Sequence, residues 1–141
     1  MDLTQNAQSK VRSYIKSIIE VALSDGWVDD KELCFLTEVA KRFKMSPQDI
    51  KEVKKQYKKV DFIMPSSSHE RFQLVYDLVK MMMIDGSIDE NEKMLCNQYA
   101  RSMGYEEDIV DSVIDIIHQD ISIGKSFENT KLRTEKFRKA S

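Results

Sequence analysis

The sequence predicts an all-α fold, a bundle of six to seven helices made of two pseudo-repeats, and three observations carry that prediction. Apolar residues recur at three- and four-residue spacing through most of the 141 positions. Glycine (4) and proline (2) are scarce, which disfavours sandwiches and barrels that need a turn every ~8–12 residues. Sliding the chain against itself by 60 residues superposes two acidic segments and the apolar positions that flank them.

The elements follow in order. Apolar positions 11, 14, 15, 18, 19, 22 and 23 trace one helix face that ends near Asp25. A second helix is expected from Asp30 to Phe43, with Leu33, Leu36, Val39, Ala40 and Phe43 inward. Ser46-Pro47-Gln48-Asp49 reads as an N-cap, a proline at the first helical position and an acid in the first turn. The third helix so opened carries Ile50, Val53, Tyr57 and Val60. Residues 61–68 connect the two units, and Ser67 with Glu70 forms the pattern of a capping box for the fourth helix. That helix carries Phe72, Val75, Leu78, Val79 and Met82 up to Asp85. A fifth helix spans about 90–103 and stops at Gly104, a residue suited to a left-handed helix end. The sixth spans about 106–119, with Ile109, Val110, Val113, Ile114 and Ile117 inward. Residues 1–124 are expected to form the helical domain. Residues 125–141 hold six basic and two acidic side chains, a net of +4, and read as a basic tail or a last helix.

Composition narrows the function classes. Hydrophobic residues at 41% and charged residues at 33% suit a folded, water-facing domain rather than a disordered chain. Twenty-two Lys+Arg against 24 Asp+Glu leave a net charge of −2, which argues against a general nucleic-acid binder. No apolar run approaches the ~20 residues of a membrane span, and residues 1–6 lack the apolar stretch of a signal peptide. Cys34 and Cys96 form no CxxC, so reduced thiols in a cytoplasm are expected.

The repeated acidic segment holds the most chemistry. Asp25-Gly26-Trp27-Val28-Asp29-Asp30-Lys31-Glu32 falls on Asp85-Gly86-Ser87-Ile88-Asp89-Glu90-Asn91-Glu92. The shared pattern D-G-x-[VI]-D-x-x-E matches the second half of an EF-hand loop. The first half fails, because Val21, Leu23, Met81 and Met83 stand where ligands would be. Calcium wants about six to eight oxygens, more than one such turn offers. Capping explains much of the turn: Asp29 and Asp89 as N-caps, Glu32 and Glu92 at the third helical position, and Val28 with Leu33 as a hydrophobic staple. Asp25 and Asp85 resist that account. A carboxylate at a helix C-terminus costs ~0.3–1 kcal/mol against the macrodipole. Each therefore either bonds to the free N–H groups of the next helix or faces a cation.

With the helix ending Ala22-Leu23-Ser24-Asp25-Gly26, then Val28-Asp29-x-x-Glu32, and the recurrence at 85–92, the chain resembles the TerB-like family. That family includes tellurite-resistance TerB proteins and the N-terminal region of the DnaJ-like co-chaperone DjlA. The resemblance spans about residues 10–120. It implies an all-α bundle with pseudo-twofold repeats, and work in bacterial stress responses or as a module of larger proteins. It also implies a metal site on Asp25, Asp29, Glu32, Asp85, Asp89 and Glu92, for Ca²⁺, Mg²⁺ or Zn²⁺. No J domain and no membrane segment are present in the sequence, which sets the chain apart from DjlA-like proteins.

Two charged faces complete the inventory. Lys51, Lys54, Lys55, Lys58 and Lys59 share a ~140° arc of the third helix. Asp108, Asp111, Asp115 and His118 share a ~80° arc of the sixth. In the repeat register Lys51 aligns with Asp111, Lys55 with Asp115 and Lys58 with His118. These are either two solvated faces or a means of association, basic face on acidic face. His69 reads as an exposed first-turn residue, and Cys34 and Cys96 as packed thiols among core positions. No P-loop, G-x-S-x-G or H-E-x-x-H occurs. The sequence therefore points to a non-enzymatic, partner-binding helical module in a stress-related process. The alternatives are a metal-responsive sensor with degenerate EF-hand-like loops, or an enzyme with an unrecognised carboxylate–metal site.

Overall fold

The computed structural model describes the backbone of residues 3–25, 28–84 and 88–139, and the side chains of residues 8–24, 28–84 and 88–137. Seven α-helices and no strand occur among the described residues. They are α1 (Leu3–Ala22), α2 (Asp30–Arg42), α3 (Pro47–Gln56), α4 (Ser68–Met83), α5 (Glu90–Ser102), α6 (Glu107–Ser122) and α7 (Phe127–Lys139). Single 3₁₀ turns extend α1 through Leu23–Asp25 and α3 through Tyr57–Lys59. The all-α bundle predicted from spacing and composition is therefore observed. No helix among the described residues is long and apolar enough to cross a membrane.

The helix starts are chemically specified. Asp29 accepts from the Glu32 backbone N–H at 2.8 Å, and Glu32 Oε1 accepts from the Asp29 N–H at 3.1 Å, closing a capping box. Ser46 and Asp49 close a second box with Pro47 at the first position of α3. Ser67 caps α4 by accepting from the Glu70 N–H at 3.1 Å. Each such cap contributes on the order of 1 kcal/mol. The equivalent start of α6 has Glu106 at the cap with no side-chain hydrogen bond, so the two units have diverged there.

The helix ends carry the repeat more faithfully. After α2, the N–H groups of Phe43, Lys44 and Met45 donate to the carbonyls of Ala40, Lys41 and Ala40. After α5, those of Met103, Gly104 and Tyr105 donate to Ala100, Arg101 and Ala100, the same pattern 60 positions on. Such left-handed closures satisfy carbonyls that a helix end leaves free.

Two helices make the centre. In α1, Ile15, Ile18, Ile19, Val21 and Ala22 are fully enclosed. In α4, Phe72, Leu74, Val75, Leu78, Val79, Met81 and Met82 are buried on nearly every side, as expected of a helix apolar all round. These two helices pack on each other, and α4 also contacts α2, α5 and α6. Met81 and Met82 fill core space rather than forming an open surface. Beyond Gly124 the chain forms α7, which packs along α6 and buries Thr130 and Thr134.

Three expectations need correction. Leu33, placed inward by its spacing, is 43% exposed, so it does not serve as the buried half of a staple. Cys34, placed among core positions, is also exposed. The reason is a rotated apolar stripe: α2 enters the core through Leu36, Val39 and Ala40, and its first turn is turned in by Glu32, which is buried with its capping box. The α-helical part of the third helix stops at Gln56 rather than reaching Val60, and Tyr57 is only half-buried.

Candidate functional site

The acidic turns come first, because they carry the sequence's strongest motif. Asp29 is committed to the start of α2 as described, and Asp89 Oδ1 accepts from the N–H groups of Asn91 at 2.6 Å and Glu92 at 3.3 Å. Glu32 and Glu92 are buried. The Asp25 side chain and all of Asp85 lie outside the described residues. The four described carboxylates do not fit a cation site by themselves. Each turn offers two of them, with Asp29, Glu32 and Asp89 bound to backbone N–H groups, where calcium wants about six to eight oxygens. Among the described residues no group of three or more His, Cys, Asp or Glu side chains could hold a metal.

The charged faces stand where the helical arcs put them. Lys51, Lys54, Lys55, Lys58 and Lys59 are all exposed. No ion pair to any of them occurs among the described residues. On α6, Asp108, Asp111 and Asp115 are exposed and His118 is half-buried. Asp111 accepts from Asn97 Nδ2 at 2.9 Å. The structure does not bring the two faces together, since contacts of α3 run to α1 and α2 and those of α6 to α4, α5 and α7.

Spacing did not reveal a third feature. Asp77, 3% exposed in the centre of α4, is the acceptor of a polar network linking three helices. Tyr14 of α1 donates its hydroxyl to Asp77 Oδ2, Arg42 of α2 donates to the same oxygen, and Gln73 Nε2 donates to Oδ1 at 3.3 Å. Burial holds the Asp77 carboxyl above the usual carboxylate range, against hydrogen bonds from Tyr14, Arg42 and Gln73 that pull it down. Burial, together with the neighbouring Asp77 charge, pushes the Tyr14 hydroxyl well up. Two further acids accept from hydroxyls: half-buried Glu20 from Tyr99, and buried Asp120, through Oδ2, from Thr130 Oγ1 at 3.0 Å. Asp120 Oδ1 lies 3.3 Å from Arg133 Nη1, close enough for an ion pair but outside hydrogen-bond geometry.

Arg42 opens the network to solvent. Its side chain is 42% exposed while that of Asp77 is 4%, so the guanidinium spans from the core to the floor of a cleft of about 500 Å³. One wall is the Phe35, Glu38, Val39, Arg42 face of α2; the other is the Gln73, Tyr76, Asp77, Lys80 face of α4. The two helices run antiparallel here, since Arg42 meets Asp77 while the Lys80 ammonium lies 5.7 Å over the Phe35 ring. Lys125, Ser126 and Phe127 close the end. Phe127 is itself fixed by Phe72 and Tyr76, with ring centroids 5.4 and 5.0 Å away. A second cleft of about 500 Å³ lies by the Met103–Tyr105 turn and includes Arg71 and Arg101. The matching Phe43–Met45 turn borders a smaller one, of about 290 Å³. A carboxylate on an otherwise apolar helix was the one signal in the sequence that could have marked Asp77. Gln73 lies one helical turn back, but Arg42 and Tyr14 lie 35 and 63 positions away, beyond any periodicity. Compared with known protein families, curated proteins and solved structures, the chain matches none.

Proposed function

We propose that the protein is a non-catalytic helical module, TerB-like in its repeat, that binds acidic protein surfaces through the lysine face of α3. The observation that carries this reading is the opposed charge of equivalent helices. Five lysines of α3 and its 3₁₀ extension stand exposed with no ion pair among the described residues, and two of the equivalent positions of α6, Asp111 and Asp115, expose carboxylates. Like charges on adjacent turns repel, by about 0.2–0.5 kcal/mol per pair. A docked acidic surface removes that repulsion and steers encounter. A second copy of the chain offers such a surface in α6, and head-to-tail association follows if both faces engage. The resemblance to TerB-like proteins supports a stress-related setting.

The test is sedimentation velocity at low and high salt. Association at low salt that dissolves at high salt is the expected result, since exposed charges are screened beyond a Debye length of about 10 Å at 0.1 M. Reversing Lys51, Lys55 and Lys58 to glutamate should abolish it. Reversing Asp111 and Asp115 to lysine in the same chain should restore it. A monomer at every salt concentration would remove the second copy as partner.

A further inference from the structure

We propose that the cleft between α2, α4 and the α6–α7 turn binds a phosphate monoester that carries an aromatic ring. Three cations converge on it: Arg42, Lys80 and Lys125. Its acids are Glu38 and Asp77, and Asp77 is turned inward to Tyr14, Arg42 and Gln73. The cleft therefore keeps a net positive charge with Glu38 as its only acid not tied into that network.

Arg42 is the preorganised element. One nitrogen of its guanidinium is fixed by a buried carboxylate, and the side chain as a whole remains 42% exposed. A planar cation held in this way loses little freedom when it takes a second anion. Two further ammonium groups exceed what a single carboxylate would need and match a dianionic phosphate. Phe35, Tyr76 and Phe127 bring three aromatic rings to the lining of the same cleft, so the ligand presents a ring beside its anion. The volume of about 500 Å³ falls within the range of small-molecule sites. Ser126, which caps α7 by accepting from the Asn129 N–H at 3.2 Å, sets a helix start on the same wall and adds to the positive potential there.

Occupancy of this cleft would also tie α7 to the bundle. The helix rests along α6, with Phe127 at its start packed on Phe72 and Tyr76 of α4, and a ligand held by Lys125 on one side and Arg42 on the other joins that start to α2.

The experiment titrates the full chain with phenyl phosphate, inorganic phosphate and phenol in calorimetry. Phenyl phosphate is expected to bind one to one, at least about tenfold tighter than either fragment. Lys125→Gln, an exposed turn substitution that leaves the core intact, and Arg42→Gln should each weaken it about tenfold. Arg101→Gln, in the other cleft, should leave it unchanged, and hydrogen exchange at the start of α7 should slow on binding. The proposal is overturned if phenyl phosphate shows no saturable binding at millimolar concentration, or binds no better than inorganic phosphate. It is overturned equally if Arg101→Gln, rather than Lys125→Gln, abolishes binding.

Discussion

Lys44 and Gly104 occupy equivalent positions in the two units, 60 residues apart, and both have positive φ, 59° and 98°. The turns close with the same hydrogen bonds, so the backbone geometry belongs to the repeat and the side chain does not. A Cβ in the left-handed region costs roughly 1–2 kcal/mol. Lys44→Gly should therefore stabilise the protein by about 0.5–1 kcal/mol after the added freedom of the unfolded chain is counted. Gly104→Ala should destabilise it by a similar amount, through φ alone, because nothing lies within 4 Å of a Cβ built there. Urea melts of the two variants check both signs, and a Lys44→Gly protein less stable than wild type would show that the lysine side chain holds this turn.

The duplication was legible because it rests on local rules. Asp29, Ser46 and Ser67 announce helix starts through side chains that reach only three residues along the chain, and Gly104 announces an end through its backbone freedom. Lys44 shows where that reading stops, since nothing about lysine signals a left-handed residue until the other unit is laid beside it. Leu33 and Glu32 show a second limit. Periodicity gives an apolar arc to within a residue, and the capping box then decided which edge of the arc faced inward. The links from Asp77 to Tyr14 and Arg42 were beyond reach because tertiary packing alone makes them. The cleft above it shares that origin, being a product of how α2, α4 and the α6–α7 turn meet.

The acidic turns permit a clean division between capping and ligation. Asparagine caps a helix about as well as aspartate, whereas alanine does not. Asp29→Ala should cost about 1 kcal/mol and Asp29→Asn only a few tenths. Both losses should be the same in EDTA as in millimolar Ca²⁺, Mg²⁺ or Zn²⁺. A ligand role predicts otherwise: cation binding to the native state alone raises stability by about 2.7 kcal/mol at a hundredfold excess over Kd. Under that role, Asp29→Asn with Asp89→Asn would erase a cation-dependent rise in melting temperature seen in the wild type. Thermal melts across the four conditions decide between them.

Unequal exposure across the Arg42–Asp77 pair makes its two halves unequal in mutation. Removing the cation strands a carboxylate whose side chain is 4% exposed, whereas removing the acid leaves a guanidinium already 42% exposed to water. Breaking a fully buried pair costs about 3–5 kcal/mol, and the exposure of Arg42 discounts this, so about 2 kcal/mol is expected for Arg42→Met. Asp77→Asn keeps an acceptor for Tyr14 and should cost nearer 1 kcal/mol. The double variant should lose less than the sum, because the stranded charge is then absent. Chemical denaturation of the three proteins measures this cycle, and a larger loss for Asp77→Asn than for Arg42→Met would contradict the assignment.

The two cysteines should separate in both reactivity and pH dependence. Cys34 is exposed and Cys96 fully buried, so a thiol reagent should modify one equivalent in the native protein and two after unfolding. Burial, with a smaller contribution from the nearby Glu92 carboxylate, pushes the Cys96 thiol from 9.0 up to about 12. Between those values the unfolded chain has released the thiol proton and the folded chain still holds it. Stability is therefore intact below pH 9.0 and falls as pH rises towards 12, with a limiting slope of about 1.4 kcal/mol per pH unit from this group. Tyr14 and Tyr99, both raised chiefly by burial, add to the same alkaline loss once pH passes the ordinary tyrosine range. Cys96→Ala should be less stable at neutral pH through its lost packing, yet lose stability more slowly across the first unit above pH 9. Native modification of Cys96 at the rate of Cys34 would mean that α5 does not bury it.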